Sequence, residues 1–352
     1  MKNNIFFQLI YLTTAFAVCL SSCGSSVDQA NGQESHSDSL TVDSLVKVEP
    51  EAEKPVPLMV DSSEFREQMQ ALVNGDTTGI WPVDDQPIPL AGAILPQKRI
   101  IAYYGNLYSK RMGILGEYAP KEMLSRLDKE IEKWNQVDSA REAIPALHYI
   151  AVVAQGSAGK DGKYRNRMPD SQIDSVLAIA KMRDALVFLD IQVALSTIQD
   201  ELPHLDKYLK LPHVHLGIDP EFSMKDGSKP GRKIGHFTAD DINYASNYLA
   251  KLVQEHNLPP KVFIVHRFTQ GMVRNYQDIQ LHPEVQTVIH MDGWGPPALK
   301  KDTYRRYIYK EPVEFTGFKI FYKNDIKQAP NRLLTPGELM ELKPIPVYIQ
   351  YQ

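Results

Sequence analysis

The chain has 352 residues, 43% of them hydrophobic and 23% charged, the make-up of a globular protein with a real core. Its 39 Lys and Arg against 43 Asp and Glu give a net charge of −4, which excludes a generally basic nucleic-acid binder. Two cysteines, Cys19 and Cys23, exclude a disulfide-rich scaffold and a cysteine-based zinc site.

Met1-Lys2 is followed by an apolar stretch, Ile5 to Val18, short for a bilayer span. This reads as a signal peptide. Leu20-Ser21-Ser22-Cys23 resembles a bacterial lipobox. Residues 1–22 are then expected to be removed and Cys23 to carry the lipid anchor. Gly24 after the cysteine, rather than Asp, is similar to Gram-negative lipoproteins of the outer membrane, so the expected address is the cell envelope. Residues 23–62 are rich in Ser, Asp, Glu and Pro without period. They offer too little apolar surface to offset the entropy of ordering and read as a flexible linker. Residues 63–97 hold a short helix carrying Phe65, Met69, Leu72 and Val73, then a Gly/Pro-rich extended stretch. Asp84-Asp85 within it reads as a solvated turn.

From Arg99 onward, β-branched or aromatic runs alternate with stretches of helical period. The strands are expected at 99–105, 147–155, 186–192, 214–221, 261–267, 286–292, 316–322 and 346–351. Pro120 starts one helix and Asp170 another. Thr238-Ala-Asp-Asp241 and Thr335-Pro-Gly-Glu338 are capping-box patterns at two more. Eight strands with intervening helices over residues 98–352 predict a (β/α)8 barrel. An open doubly wound sheet is the rival, but no Gly-rich phosphate turn follows Tyr104-Gly105-Asn106. Residues 156–163 fail the phosphate-loop spacing, and Tyr164 stands where Ser or Thr is needed.

Active sites of such barrels lie at the C-terminal strand ends, and residues two apart share a strand face. In the fourth strand that rule puts His215, Gly217, Asp219 and Glu221 toward the axis. Two neighbouring carboxylates do not both ionise easily; one with a raised pKa and one ionised partner is the pair glycoside hydrolysis uses. Glu221 is the expected general acid, with Asp219 tuning it. Asp190 in the third strand and Asp292 in the sixth are candidates for the base or nucleophile. Tyr104, Asn106, Gln192, His266, Arg267, Trp294 and Gln350 are candidate substrate contacts, Trp294 as a sugar platform and Arg267 with its direction open. No metal and no cofactor is expected. Lys160, Lys163, Arg165 and Arg167 after strand two, with Lys225, Lys229, Arg232 and Lys233 after strand four, make a basic mouth that favours an acidic glycan.

Through Tyr104-Gly105-Asn106, Gly113-Ile-Leu-Gly116, Leu216-Gly-Ile-Asp-Pro-Glu221, Val265-His266-Arg267-Phe268 and Met291-Asp292-Gly293, residues 98–352 resemble a group of secreted bacterial lipoproteins. The resemblance implies a glycoside-hydrolase-like barrel. Retaining enzymes of the largest barrel clan also carry a Glu at the end of strand seven. Here that segment reads Phe318-Lys319-Ile320-Phe321-Tyr322-Lys323, which argues against that clan. The reading is a membrane-tethered glycoside hydrolase. Its alternatives are a non-catalytic carbohydrate-binding lipoprotein and a metal-dependent hydrolase using Asp219, Glu221, His266 and Asp292.

Overall fold

The structure, a computed structural model, describes residues 58–352. The expected signal peptide, the lipobox with Cys23 and most of the linker lie outside the described residues. Eight parallel strands form the frame: β1 (Lys98–Gly105), β2 (Glu142–Ala154), β3 (Leu186–Ile191), β4 (Val214–Ile218), β5 (Lys261–Arg267), β6 (Val285–Met291), β7 (Phe315–Ile320) and β8 (Tyr348–Tyr351). Each pairs with the next, and β8 pairs back onto β1 with Ile100 opposite Tyr348. The ring is a closed (β/α)8-type barrel and leaves no unpaired edge.

All eight expected strands are present, and the largest differences in extent are at β2 and β4. β2 begins at Glu142, ahead of Pro145, which lies opposite Ile101. β3 joins β2 only from Ala146 onward, so the proline sits where β2 has one neighbour and its missing N–H is tolerated. β4 ends at Ile218 rather than 221. Pro220 cannot extend the ladder, and the Asp219 carboxylate accepts the Glu221 N–H at 3.0 Å, closing a turn over Pro220–Phe222.

The helices are α1 (Ser62–Leu72), α2 (Pro120–Val137), α3 (Asp170–Lys181), α4 (Ala239–His256), α5 (Pro297–Tyr304) and α6 (Pro336–Met340). Both expected capping boxes form, at Thr238 with Asp241 and at Thr335 with Glu338. The helical ring is uneven. Only four-residue helices and a 3₁₀ turn join β3 to β4, and only 3₁₀ turns and a two-residue strand lie between β5 and β6. Asp84 and Asp85 occupy an exposed turn.

Strand alternation divides the apolar residues into two clusters. Ile101, Tyr103, Leu147, Val187, Leu189, Leu216, Ile218, Phe263 and Val265 pack outward against α2, α3 and α4. Ile100, Ala102, Ala146, Phe188, Val262, Ile264 and Val288 fill the lower barrel. Helix α1, capped by Asp61 accepting the Glu64 N–H at 2.8 Å, presents Phe65, Met69 and Leu72 at i, i+4 and i+7. These join the inner cluster and close the foot of the barrel. The inner face is therefore mainly apolar below, apart from His215 and Gln286, and its carboxylates and lysine lie above. Phe65→Ala should lower unfolding free energy by about 3 kcal/mol or more, the usual cost of an emptied aromatic site, read as a shift in the denaturant midpoint.

Candidate active site

On nearly every strand the inward residues change from apolar to polar at the C-terminal end. β1 contributes Tyr104, β2 His148, β3 Asp190, β5 His266, β6 His290, β7 Lys319 and β8 Gln350; Gln192, Asp219 and Asp292 follow directly after β3, β4 and β6. They meet in one cluster. The Tyr104 hydroxyl donates to Asp190 at 3.0 Å. The Gln192 amide Nε2 faces the Tyr104 oxygen at 3.4 Å and Asp219 Oδ2 at 3.3 Å. Its orientation is set from behind, since Gln192 Oε1 accepts the Ala154 N–H at 3.1 Å. His266 Nδ1 lies 2.7 Å from Asp292 Oδ2, and Lys319 Nζ lies 3.0 Å from Asp292 Oδ1. The same ammonium sits 3.8 Å from the centre of the Tyr104 ring, a cation–π contact.

Two glycines make this density of side chains possible. A Cβ on Gly217 would stand 2.6 Å from His148 Nε2 and 2.7 Å from Asp190 Oδ1, and one on Gly317 would stand 2.5 Å from His290 Nδ1. Lys319 is held by its neighbours. Lys300 Nζ donates to the Lys319 carbonyl and to Asp325, both at 2.6 Å. Asp325 also accepts the Gly295 and Phe321 N–H groups at 2.9 Å, fastening the loops after β6 and β7 to each other.

Depth orders the four carboxylates. Asp190 is 0% exposed, Asp219 3% and Asp292 9%, while Glu221 is half-buried at the rim. Their proton affinities diverge. Burial pushes Glu221 up to about 8, with the Asp219 and Asp292 charges adding to it. Burial likewise pushes Asp219 up to about 7, as do Asp190 and Asp292, against the pull of His266. Asp292 is buried too, but Lys319 and His266 hold it well below the usual carboxylate range. His266 is raised because Asp190 and Asp292 outweigh its burial. His148 is pushed down to about 4 by burial, against the pull of Asp190. The mouth thus holds a carboxyl that keeps its proton and a carboxylate that gives it up, the division of labour an acid–base pair needs.

Of the expected contacts, Arg267 and Asn106 do not join the cluster, and Gln350 joins it only from beneath. Arg267 points out of the barrel and pairs with Glu311 while donating to the Thr269 and Gln270 carbonyls; it follows inward His266 by one residue, so alternation turns it outward. Asn106 ties the loop after β1, donating to the Ile150 carbonyl at 3.0 Å and accepting the Tyr108 N–H at 2.9 Å. Gln350 is fully buried beneath the mouth, its Nε2 at 3.1 Å from the Tyr348 hydroxyl and at 3.1 Å from His148 Nδ1. Trp294 stands on the rim, 44% exposed. The basic loops are half neutralised. Arg165 and Arg167 both pair with Glu201 at 2.7 Å, Lys225 with Asp241 at 2.5 Å and Lys233 with Asp226 at 2.8 Å. A cleft of about 560 Å³ lined by Tyr103, Tyr118, Arg126, Glu130 and Tyr322 lies on the helical side of the wall, since Tyr103 points outward, and is separate from the carboxylates.

His148 and Lys319 were absent from the sequence-derived candidates. His148 sits alone in an apolar run. A strand lysine reads as solvated. The available signal was phase: Lys319 is two residues from Gly317 on the inward face.

Because folding raises the Glu221 pKa from 4.5 to about 8, its ionisation opposes the folded state over that window. Stability is unaffected by this group below about pH 4.5 and falls as pH rises through the folded value. Glu221→Gln, which keeps the shape of the protonated acid, should therefore gain in melting temperature relative to the unmodified protein between pH 5 and pH 8. A differential thermal melt across that range reads it.

No protein-family model matches the chain, and no curated protein matches it in sequence. Among solved structures it is similar to a cellulase, Cel5C_n, with 14% identity and a TM-score of 0.37 over 63% of this chain and 65% of that one. The match spans less than two thirds of the cellulase chain and says nothing of the reaction.

Proposed function

We propose that this protein is a glycoside hydrolase of the bacterial cell envelope, tethered through Cys23, with Glu221 as general acid and Asp292 as base or nucleophile. The observation that carries this reading is the opposite environment of the two groups. Glu221 retains its proton through burial and two neighbouring carboxylates, whereas Asp292 is kept ionised by Lys319 and His266. Asp190 is the weaker partner candidate, because it is completely enclosed and already bonded to Tyr104. Asp219 acts through Glu221: its charge raises the acid, and its Oδ1 fixes the Glu221 backbone. The exposed ring of Trp294 suits a sugar face. Lys160, Lys163, Lys229 and Arg232 form no ion pair among the described residues and leave a bias toward an acidic glycan.

Reducing-end release from a panel of neutral and acidic polysaccharides tests the reading. Glu221→Gln should keep glycan affinity and lose turnover by about 10²–10⁴-fold, the usual worth of a positioned acid. Turnover should fall as pH rises past about 8, where Glu221 loses its proton, and persist on the acid side until Asp292 is protonated. Affinity without turnover in the unmodified protein would leave a carbohydrate-binding protein instead.

The tether has its own test. Cys23→Ala should move the protein from the membrane pellet to the soluble envelope fraction and abolish acyl labelling, with barrel stability unchanged.

A further inference from the structure

Below the acid–base pair lie three polar atoms that no protein partner satisfies. His148 Nε2, Asp190 Oδ1 and His266 Nε2 are all buried and form no hydrogen bond. They converge, lying within 4.8 Å of one another, with Asp190 Oδ1 at 3.5 Å from His148 Nε2 and 3.6 Å from His266 Nε2. Those separations are too long for hydrogen bonds. They match the edge of a tetrahedron around a metal, which is about 3.3 Å for ligand bonds of 2.0–2.1 Å.

The second layer is that of a ligand set. His266 Nδ1 donates to Asp292 at 2.7 Å, the carboxylate–histidine arrangement that turns Nε2 and its lone pair toward a metal. His148 Nδ1 lies 2.6 Å from the Tyr348 hydroxyl. Half a turn of the Gln350 amide brings its Oε1, itself without a donor, beside that Nδ1–H. Asp190 Oδ2 is occupied by Tyr104 at 3.0 Å, which leaves Oδ1 as the coordinating oxygen. Gly217 keeps the space between His148 and Asp190 clear. We propose that His148, Asp190 and His266 bind one divalent first-row transition-metal ion, Zn²⁺ being the ion that two imidazoles and a carboxylate suit. Three protein ligands leave a coordination position open, as in catalytic rather than structural sites. This site does not depend on the glycan reading, and metal binding is measured without turnover.

The untagged full chain, stripped with a chelator, is titrated separately with Zn²⁺, Co²⁺ and Mg²⁺. The expected result is one Zn²⁺ per chain by calorimetry and elemental analysis, a melting temperature that rises with Zn²⁺, intense visible absorption with Co²⁺, and no binding of Mg²⁺, which prefers six oxygens. His148→Gln and Asp190→Asn should weaken Zn²⁺ by about 100-fold or more and Asp292→Asn by about 10–100-fold, while Glu221→Gln leaves it unchanged. Where a ligand variant fails to fold, the stoichiometry and Co²⁺ spectrum of the unmodified chain decide alone. Absence of Zn²⁺ uptake by that chain, or uptake undiminished in folded His148→Gln, overturns the site.

Discussion

Lys319 reaches Asp292 at 3.0 Å across the top of the barrel, where both groups are almost closed to water. Four carboxylates converge on this small volume. A buried charge is tolerated only when paired, and the Lys319 ammonium faces them, with the His266 imidazole beside it. Asp292 takes direct contact with both. Glu221 and Asp219 are left to burial and to the repulsion of their neighbours, and both bind protons more tightly, Glu221 most. The divergence of Asp292 from Asp219 and Glu221 therefore follows from which one the lysine touches. A carboxylate at the position of Lys319 would add a further negative charge and leave Asp292 without its ion-pair partner.

That arrangement needs space, and the barrel supplies it through residues with no side chain. Gly217 and Gly317 sit on the inward face where any Cβ would strike His148, Asp190 or His290. The lower barrel takes the opposite course. Phe188, Val262, Ile264 and Val288 fill it, and α1 seals it with Phe65, Met69 and Leu72. Apolar packing below carries the stability that unsatisfied polar groups above reduce; His148 Nε2, His266 Nε2 and both nitrogens of His290 lie buried without partners. Such a division, apolar foot and underpartnered polar mouth, is common where local rules are broken for a site.

The frame was legible in the sequence because alternation is a local property. All eight strands, the two capping boxes and the inward direction of Asp190, Asp219, His266 and Asp292 follow from period and punctuation. Glu221 reached the mouth by a different route. The expected strand stops at Ile218, and the Asp219 side chain with Pro220 turns the chain so that Glu221 lies at the rim. Lys319 and His148 escaped notice because nothing beside them in the chain marks them. Their partners are Asp292, 27 residues before Lys319, and Asp190, 42 residues after His148, and only the parallel pairing of neighbouring strands brings each pair together.

Alternation also assigns a direction without a depth. Asp190 and Gln192 share a face, as do Tyr348 and Gln350, and by period alone each is an equal candidate for contact with a substrate. In the closed barrel Asp190 and Gln350 are completely enclosed, whereas Glu221 is only half-buried. How far each inward position lies from solvent is set by where its strand begins relative to its neighbours, a stagger fixed by ladder registers between strands remote in sequence. Acidic residues of one phase therefore separate into an outer pair, Glu221 and Asp292, able to meet a substrate, and two deeper ones, Asp219 and Asp190, the last with a free oxygen that faces two histidines. The same closure that withdraws Asp190 from surface chemistry is what aligns it as a ligand.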